Sequence, residues 1–343
     1  MYSFSIPASF FIVIIGGFIM IIPICLFIVG LVLLIVAGDW FVDGAVGIAH
    51  RFHMPEILIG ATVVSIGTTL PEVLVSASGA VKGIGAMAYG NSLGSIICNT
   101  ALIAAITIAV KPSVIDKKAL KTPVIFFAIA AAIYIFVSYF TGTFSRISGI
   151  ALLIIFLVYM IISVRSALNA KTDSSLVDSD DDGPKEYSLA LDIILLVIGA
   201  GLIALGANLL VDNGTIIATA IGVPDAVIAL TFVALGTSLP ELVTAITSLA
   251  KGSGALSLGN IIGANMFNIV LVTGLSVTLA PFDVPCDRLI NGINSSLIVD
   301  IPVMIFVSIV LIVPALIRGK MSRIQGILLL LTYAGFCAFQ FLA

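Results

Sequence analysis

Apolar residues run through this chain in blocks of about 20, separated by short polar clusters. A block of that length crosses the hydrocarbon core of a bilayer as one helix. The pattern predicts ten helices, over 21–42, 56–81, 86–109, 120–140, 147–166, 189–211, 225–250, 255–279, 297–317 and 324–342. The expected fold class is an all-α integral membrane protein. Residues 9–37 form an apolar stretch longer than one span needs. A cleavable leader carries a basic first segment, and residues 1–20 contain no Lys or Arg. The start therefore reads as an extension of the first span, broken or tilted near Pro23.

A polar segment, 168–187, divides the spans five and five. Five is odd, so each half ends on the opposite face from its start and the second half is inverted. The expected organisation is a five-helix repeat over 1–167, a loop over 168–187, and a second repeat over 188–343. The residues support duplication at an offset of 169. Val42-Asp43 matches Val211-Asp212, Pro55-Glu56 matches Pro224-Asp225, and Lys82-Gly83 matches Lys251-Gly252. Gly90-Asn91, Gly94 and Asn99 match Gly259-Asn260, Gly263 and Asn268. Generic membrane helices do not share Asn, Glu, Lys and Pro at one offset.

Composition removes several function classes. The 343 residues are 60% hydrophobic and 10% charged, against about 25% charged in soluble domains, so little soluble mass exists. A net charge of −3 does not call for a nucleic-acid partner. Cys25, Cys98, Cys286 and Cys337 lie singly, which supports neither a zinc site nor a disulfide framework. Lys and Arg set the orientation. With the N-terminus outside, only Lys82, Arg146 and Arg288 of the 15 basic residues fall outside. Both termini are then expected outside, with the 168–187 loop cytoplasmic.

The candidate chemistry sits in two matching motifs. Gly67-Thr68-Thr69-Leu70-Pro71-Glu72 and Gly236-Thr237-Ser238-Leu239-Pro240-Glu241 each place a carboxylate and a proline inside an apolar span. A charge at a bilayer centre costs roughly 3 kcal/mol or more, so it marks function by default. Ser65, Thr68, Thr69 and Glu72 share one helical face. Pro71 has no N–H, which frees the carbonyl of Gly67. Such an oxygen is tolerated at membrane depth only against protein or a water-filled cavity. The second copy offers Thr237, Ser238, Glu241 and the carbonyl of Gly236, with Ala234 where the first has Ser65. The next span of each half adds Asn91, Ser95 and Asn99, then Asn260, Ala264 and Asn268, at i, i+4, i+8. Asn91 and Asn260 equally suit a helix-joining role. Gly90, Gly94, Gly259 and Gly263 form small-xxx-small pairs that permit close helix packing. The expected core is four helices with Glu72 and Glu241 face to face. Oxygen-only ligands suit hard cations, Ca²⁺ or Na⁺, and two carboxylates balance one Ca²⁺ or two Na⁺.

These motifs resemble the α-repeats of the cation/Ca²⁺ exchanger superfamily, most closely its prokaryotic sodium/calcium exchanger branch. The block Gly90-Asn91-Ser92-Leu93-Gly94-Ser95-Ile96-Ile97-Cys98-Asn99 carries the second hallmark. The resemblance implies a multi-pass plasma-membrane antiporter that extrudes Ca²⁺ as Na⁺ enters, with no cofactor and functional as a monomer. It implies Ca²⁺ ligation by Glu72, Glu241 and the main-chain oxygens of Thr68 and Thr237. It places Na⁺ beside Ser65, Thr69 and Ser95 on one flank and Ala234 and Ser238 on the other. Two departures bear on the Na⁺ count. Ala264 stands where a serine is common, and Asn268 where several relatives carry Asp; Asn99 is its partner in the first half. Gly94 and Gly263 stand where the proton/calcium branch carries Glu, which disfavours H⁺ coupling.

Other readings stay open at this stage. H⁺/Ca²⁺ exchange and K⁺-dependent exchange are the near alternatives, and a cation channel is a more distant one. An intramembrane protease would need a G-x-G-D signature that is absent. The run Asp178-Ser179-Asp180-Asp181-Asp182-Gly183 fits half an EF-hand loop, but Leu189 stands at its twelfth position. Asp39, Asp43 and Asp212 read as interfacial, and Asp300 has no assigned role.

Overall fold

The computed structural model describes residues 8–52, 54–112, 115–173, 188–220, 234–286 and 289–342. The segment 178–183 and residues 225–233 of the expected span 225–250 lie outside them. Nine helices among the described residues are long and apolar enough to cross a membrane. In chain order the helices are α1 (Ala8–Arg51) and α2 (Glu56–Val81), then α3 (Gly85–Val110), α4 (Lys117–Thr141) and α5 (Arg146–Asp173). The second half contains α6 (Leu189–Ala220), α7 (described as Ala234–Thr237 and Leu239–Ala250), α8 (Gly254–Leu279), α9 (Ser296–Arg318) and α10 (Arg323–Leu342). The ten-helix membrane architecture of two inverted repeats is therefore present.

Pro23 does not break or end the first helix. It lies inside α1, which is helical from Ala8 to Arg51. A proline removes one backbone hydrogen bond, and the long apolar sequence on both sides keeps the remaining bonds in place.

Helices α2 and α8 cross backbone to backbone. A Cβ on Gly259 would lie 2.2 Å from the Ile57 carbonyl oxygen, and one on Gly60 would lie 2.4 Å from that of Leu256. A Cβ on Gly263 would lie 2.2 Å from Ser65 Oγ. The glycines of α3 behave differently from the sequence expectation: Gly90 and Gly94 have nothing within 4 Å of an added Cβ. They wall a cavity of about 180 Å³ instead, together with Tyr89, Asp300, Phe336 and Gln340.

Helices α1 and α6 pack antiparallel along each other. Gly30 faces Gly206, with an added Cβ on Gly30 lying 2.8 Å from the Gly206 carbonyl oxygen. Gly44 and Gly47 leave room for Asp192, which is 1% exposed and lies 3.5 Å from Arg51 Nε.

Beside the helices, four two-residue strands occur among the described residues. Thr143–Phe144 (β1) pairs antiparallel with Phe282–Asp283 (β2), and Leu289–Ile290 (β3) pairs with Ile293–Asn294 (β4). The second pair closes through Asn291 and Gly292, both at positive φ, as a two-residue hairpin requires.

The crossing gives a stability prediction. Gly259→Ala drives a methyl into the Ile57 backbone and should cost about 1–3 kcal/mol, seen as a lower melting temperature in detergent. Gly90→Ala meets open space and should match the parent, since alanine is the better helix residue.

Candidate ion-binding site

The two motifs meet at the α2–α3–α7–α8 centre, where Glu72 and Glu241 are each 0% exposed. Their carboxylates are close enough to interact electrostatically. None of the four carboxylate oxygens has a hydrogen-bond partner. Glu241 lies within electrostatic reach of Thr68 and Thr69, although their hydroxyls are not positioned to donate to it. Other buried polar atoms without a partner include Thr69 Oγ1, Ser95 Oγ, Ser238 Oγ, and both amide atoms of Asn99 and of Asn268. Buried polar groups are ordinarily satisfied, so these unpaired polar atoms mark a place built for another species. Among the described residues no three His, Cys, Asp or Glu side chains cluster. The carboxylate content is therefore the pair alone.

Local backbone chemistry presents these oxygens. Pro71 lies within a continuous helix, Ser65–Val81. The second copy differs: the helix is interrupted at Ser238 (φ −91°, ψ 5°) and restarts at Leu239 with Pro240 in its first turn. Proline is favoured there because its missing N–H is unpaired in any case. Asn99 and Asn268 each begin a π-helical turn, Asn99–Ala104 and Asn268–Thr273. A third π turn, Gly60–Val64, leads into Ser65. Such turns misalign carbonyls and are frequent at functional sites. The hydrophobic pattern gives no sign of them.

The asparagines expected either to bind or to join helices make cross-repeat hydrogen bonds. Thr68 Oγ1 donates to Asn260 Oδ1 at 3.2 Å, and Thr237 Oγ1 donates to Asn91 Oδ1 at 3.3 Å. The two bonds are related by the 169-residue offset. Asn91 Nδ2 also donates to Ser76 Oγ at 2.9 Å and to the Glu72 carbonyl at 3.4 Å. Ser65 Oγ donates to the Gly60 and Asn260 carbonyls at 2.7 and 3.0 Å. Ser65 and the two threonines thus spend their protons on the scaffold. Ala234 lies in the short helix before Ser238.

Several residues here escape sequence reasoning. Ser92 Oγ and Thr273 Oγ1 both donate to the Asn268 carbonyl, at 2.5 and 3.0 Å. Asn265 Nδ2 donates to Thr100 Oγ1 at 2.7 Å. Their counterparts at the offset are apolar, so a search for repeated polar positions passes over them. Asp300 is not part of the pair. Its carboxylate accepts from Ser296 Oγ at 2.9 Å and Gln340 Nε2 at 2.8 Å beside the α3 cavity. Cys98 is buried, as a small apolar residue would be.

The sequence profile of the family described as sodium/calcium exchanger protein matches residues 22–165 and 191–342, one match for each half. The chain belongs to the sodium/calcium exchanger family. This exchanger is 34% identical to a membrane protein of Methanocaldococcus jannaschii, over 90% of this chain and 94% of that protein. It is 28% identical to the sodium/calcium exchanger MaX1 of Methanosarcina acetivorans, over 91% of this chain and 96% of that protein. Its fold is similar to the solved sodium-calcium exchanger NCX_Mj soaked with Na⁺, with a TM-score of 0.75 and 32% identity. That likeness covers 92% of this chain and 97% of the other.

The cross-repeat bonds give a prediction for the exchanger. Thr68→Val removes the donor to Asn260 and should weaken apparent Ca²⁺ affinity roughly fivefold, for about 1 kcal/mol. Thr68→Ser keeps the hydroxyl and should stay near the parent in the same uptake assay.

Proposed function

We propose that this exchanger is a secondary antiporter that extrudes Ca²⁺ against entering Na⁺ by alternating access. The observation that carries the reading is the pair Glu72 and Glu241, one from each repeat, fully buried with no protein donor on any carboxylate oxygen. Two such charges in an apolar interior are strongly destabilising unless matched. One Ca²⁺ or two Na⁺ supplies the matching charge, and the two loads compete for the same oxygens. Competition makes the transport an exchange.

In this reading Glu72 and Glu241 hold Ca²⁺ with the main-chain oxygens of Thr68 and Thr237. Thr69, Ser95 and Ser65 form one Na⁺ flank; Ser238 and the Ala234 main chain form the other. The amide oxygens of Asn99 and Asn268 complete the centre. Neutral Asn268 asks for no additional positive charge. The antiparallel α1–α6 pair moves against the four-helix core and opens one face at a time. The protein works as a monomer in the plasma membrane, with both termini outside and the 168–187 loop cytoplasmic, as its Lys and Arg distribution favours.

Glu72→Gln and Glu241→Gln should each abolish Na⁺-driven ⁴⁵Ca²⁺ uptake into proteoliposomes, and normal uptake by either would sink the assignment. Imposed Na⁺, H⁺ and K⁺ gradients tested in turn on the parent should drive uptake only with Na⁺. Ser95→Ala should raise the Na⁺ concentration for half-maximal exchange by roughly tenfold or less, because it removes one oxygen ligand. Ala264→Leu, at the matching position that lacks a hydroxyl, tests the packing effect alone.

A further inference from the structure

The geometry points to Lys251 and Lys82 as positioning residues of the transport cycle, a pair of alternating ionic latches that hold the moving helices at opposite faces. The inference rests on the alternating-access reading above and adds to it what fixes each end state.

Lys251 caps α7 at one face. Its Nζ lies 2.7 Å from Asp43 Oδ1 and 3.4 Å from Asp39 Oδ1, and it donates to the Asp39 carbonyl at 3.0 Å. Both acids belong to α1, so this lysine ties a moving helix to the core. Around the latch α1 is seated on α7. A Cβ on Gly38 would lie 2.7 Å from Val243 Cγ1 and 2.9 Å from Thr247 Oγ1. Leu239 and Val243 pack into the cluster that holds Leu34, Ala37 and Phe41.

The same parts exist at the other face without the contact. Lys82 caps α2 with φ −77° and ψ 3°, against −78° and 0° for Lys251. Gly83 and Gly252 follow at φ 81° and 85°. The turn bonds also match: Ile84 N to the Gly79 carbonyl and Ser253 N to the Ser248 carbonyl, each 2.8 Å. Asp212 on α6 is the counterpart of Asp43. Among the described residues, however, neither Lys82 nor Asp212 makes an ion pair. The surface that α6 would cover is open. Leu70 and Leu74, the counterparts of Leu239 and Val243, are 46% and 69% exposed. Five spans separate the two lysines, so they lie on opposite faces. The structure is thus closed at the Lys251 face and open at the Lys82 face. Exchanging the conformations of the two repeats breaks Lys251–Asp43 and brings Lys82 to Asp212.

The latches are unequal. Asn208 stands where the first half has Asp39, so Lys82 meets one carboxylate and Lys251 meets two. The state closed at Lys251 is the favoured one. Exposed ion pairs are individually weak, which suits a latch that must open in every cycle.

Maleimide labelling of one introduced cysteine tests this, with the four native cysteines replaced by serine. Leu74→Cys reports the Lys82 face, and Val243→Cys reports the Lys251 face. Lys251→Gln should slow labelling at 74 and speed it at 243, by roughly two- to fivefold. Lys82→Gln should shift both rates the other way, and it removes no contact present here that the fold needs. The double exchange Lys251→Asp with Asp43→Lys should return the rates toward the parent. Shifts in the same direction for the two lysines, or unchanged rates, would overturn the proposal. Labelling needs no ion gradient, so this outcome is independent of whether Glu72 and Glu241 carry Ca²⁺.

Discussion

Two carboxylates buried without donors are the constraint on which the rest of this molecule depends. A buried ion pair needs good geometry and further hydrogen bonds to offset desolvation. Glu72 and Glu241 have neither a cationic side chain nor a hydrogen-bond donor on their oxygens. The scaffold must therefore hold two repelling groups together while leaving their oxygens free. It does so by spending other polar groups on itself. Thr68 and Thr237 tie into Asn260 and Asn91 across the repeats, and Gly60, Gly259 and Gly263 let α2 and α8 touch at the backbone. Packing and cross-repeat bonds hold the acids together, so their attraction for a cation stays available for transport.

Free backbone oxygens are part of the same arrangement. An uninterrupted α-helix satisfies its own carbonyls and has none to offer at membrane depth. Here the regular helix is relaxed by Pro71, by the interruption at Ser238, and by the π turns that begin at Asn99 and Asn268. Ser92 and Thr273 then secure the Asn268 carbonyl. Two further π turns, Val137–Thr141 in α4 and Ser296–Asp300 in α9, lie away from this centre.

The sequence made the architecture legible because membrane insertion leaves a coarse signal. Apolar length places the spans, although the first and sixth helices run about nine residues or more past their expected ends, and the 169 offset pairs the acids without any structure. What it hid depends on finer physics. Pro23 looks like a breaker but costs only one bond in a long apolar helix. Gly90 and Gly94 match Gly259 and Gly263 in spacing, yet spacing does not say which face meets another helix, and those of α3 line a cavity. Asn291-Gly292 is a hairpin signal that apolar span length does not report. The π turns are set by tertiary packing around Asn99 and Asn268, to which hydrophobic periodicity is blind.

Duplication explains the symmetry of the acids, and divergence explains why the cycle has a direction of rest. The acids and the joining asparagines must match, since both conformations use the same centre. Residues outside that shared set are free to differ, and they do. Ser95 is matched by Ala264, Ser65 by Ala234, and Asp39 by Asn208. Differences beside the acids make the two flanks unequal in oxygen, whereas the difference at the latches makes the two end states unequal in charge pairing. A ligand shifts a two-state equilibrium only by its differential affinity for the states. An exchanger whose empty states already differ must draw that much more from its ions to turn over. Weak, solvent-exposed latches keep this intrinsic bias small beside the interaction of two buried carboxylates with their cation, so the ions rather than the scaffold set the direction of transport.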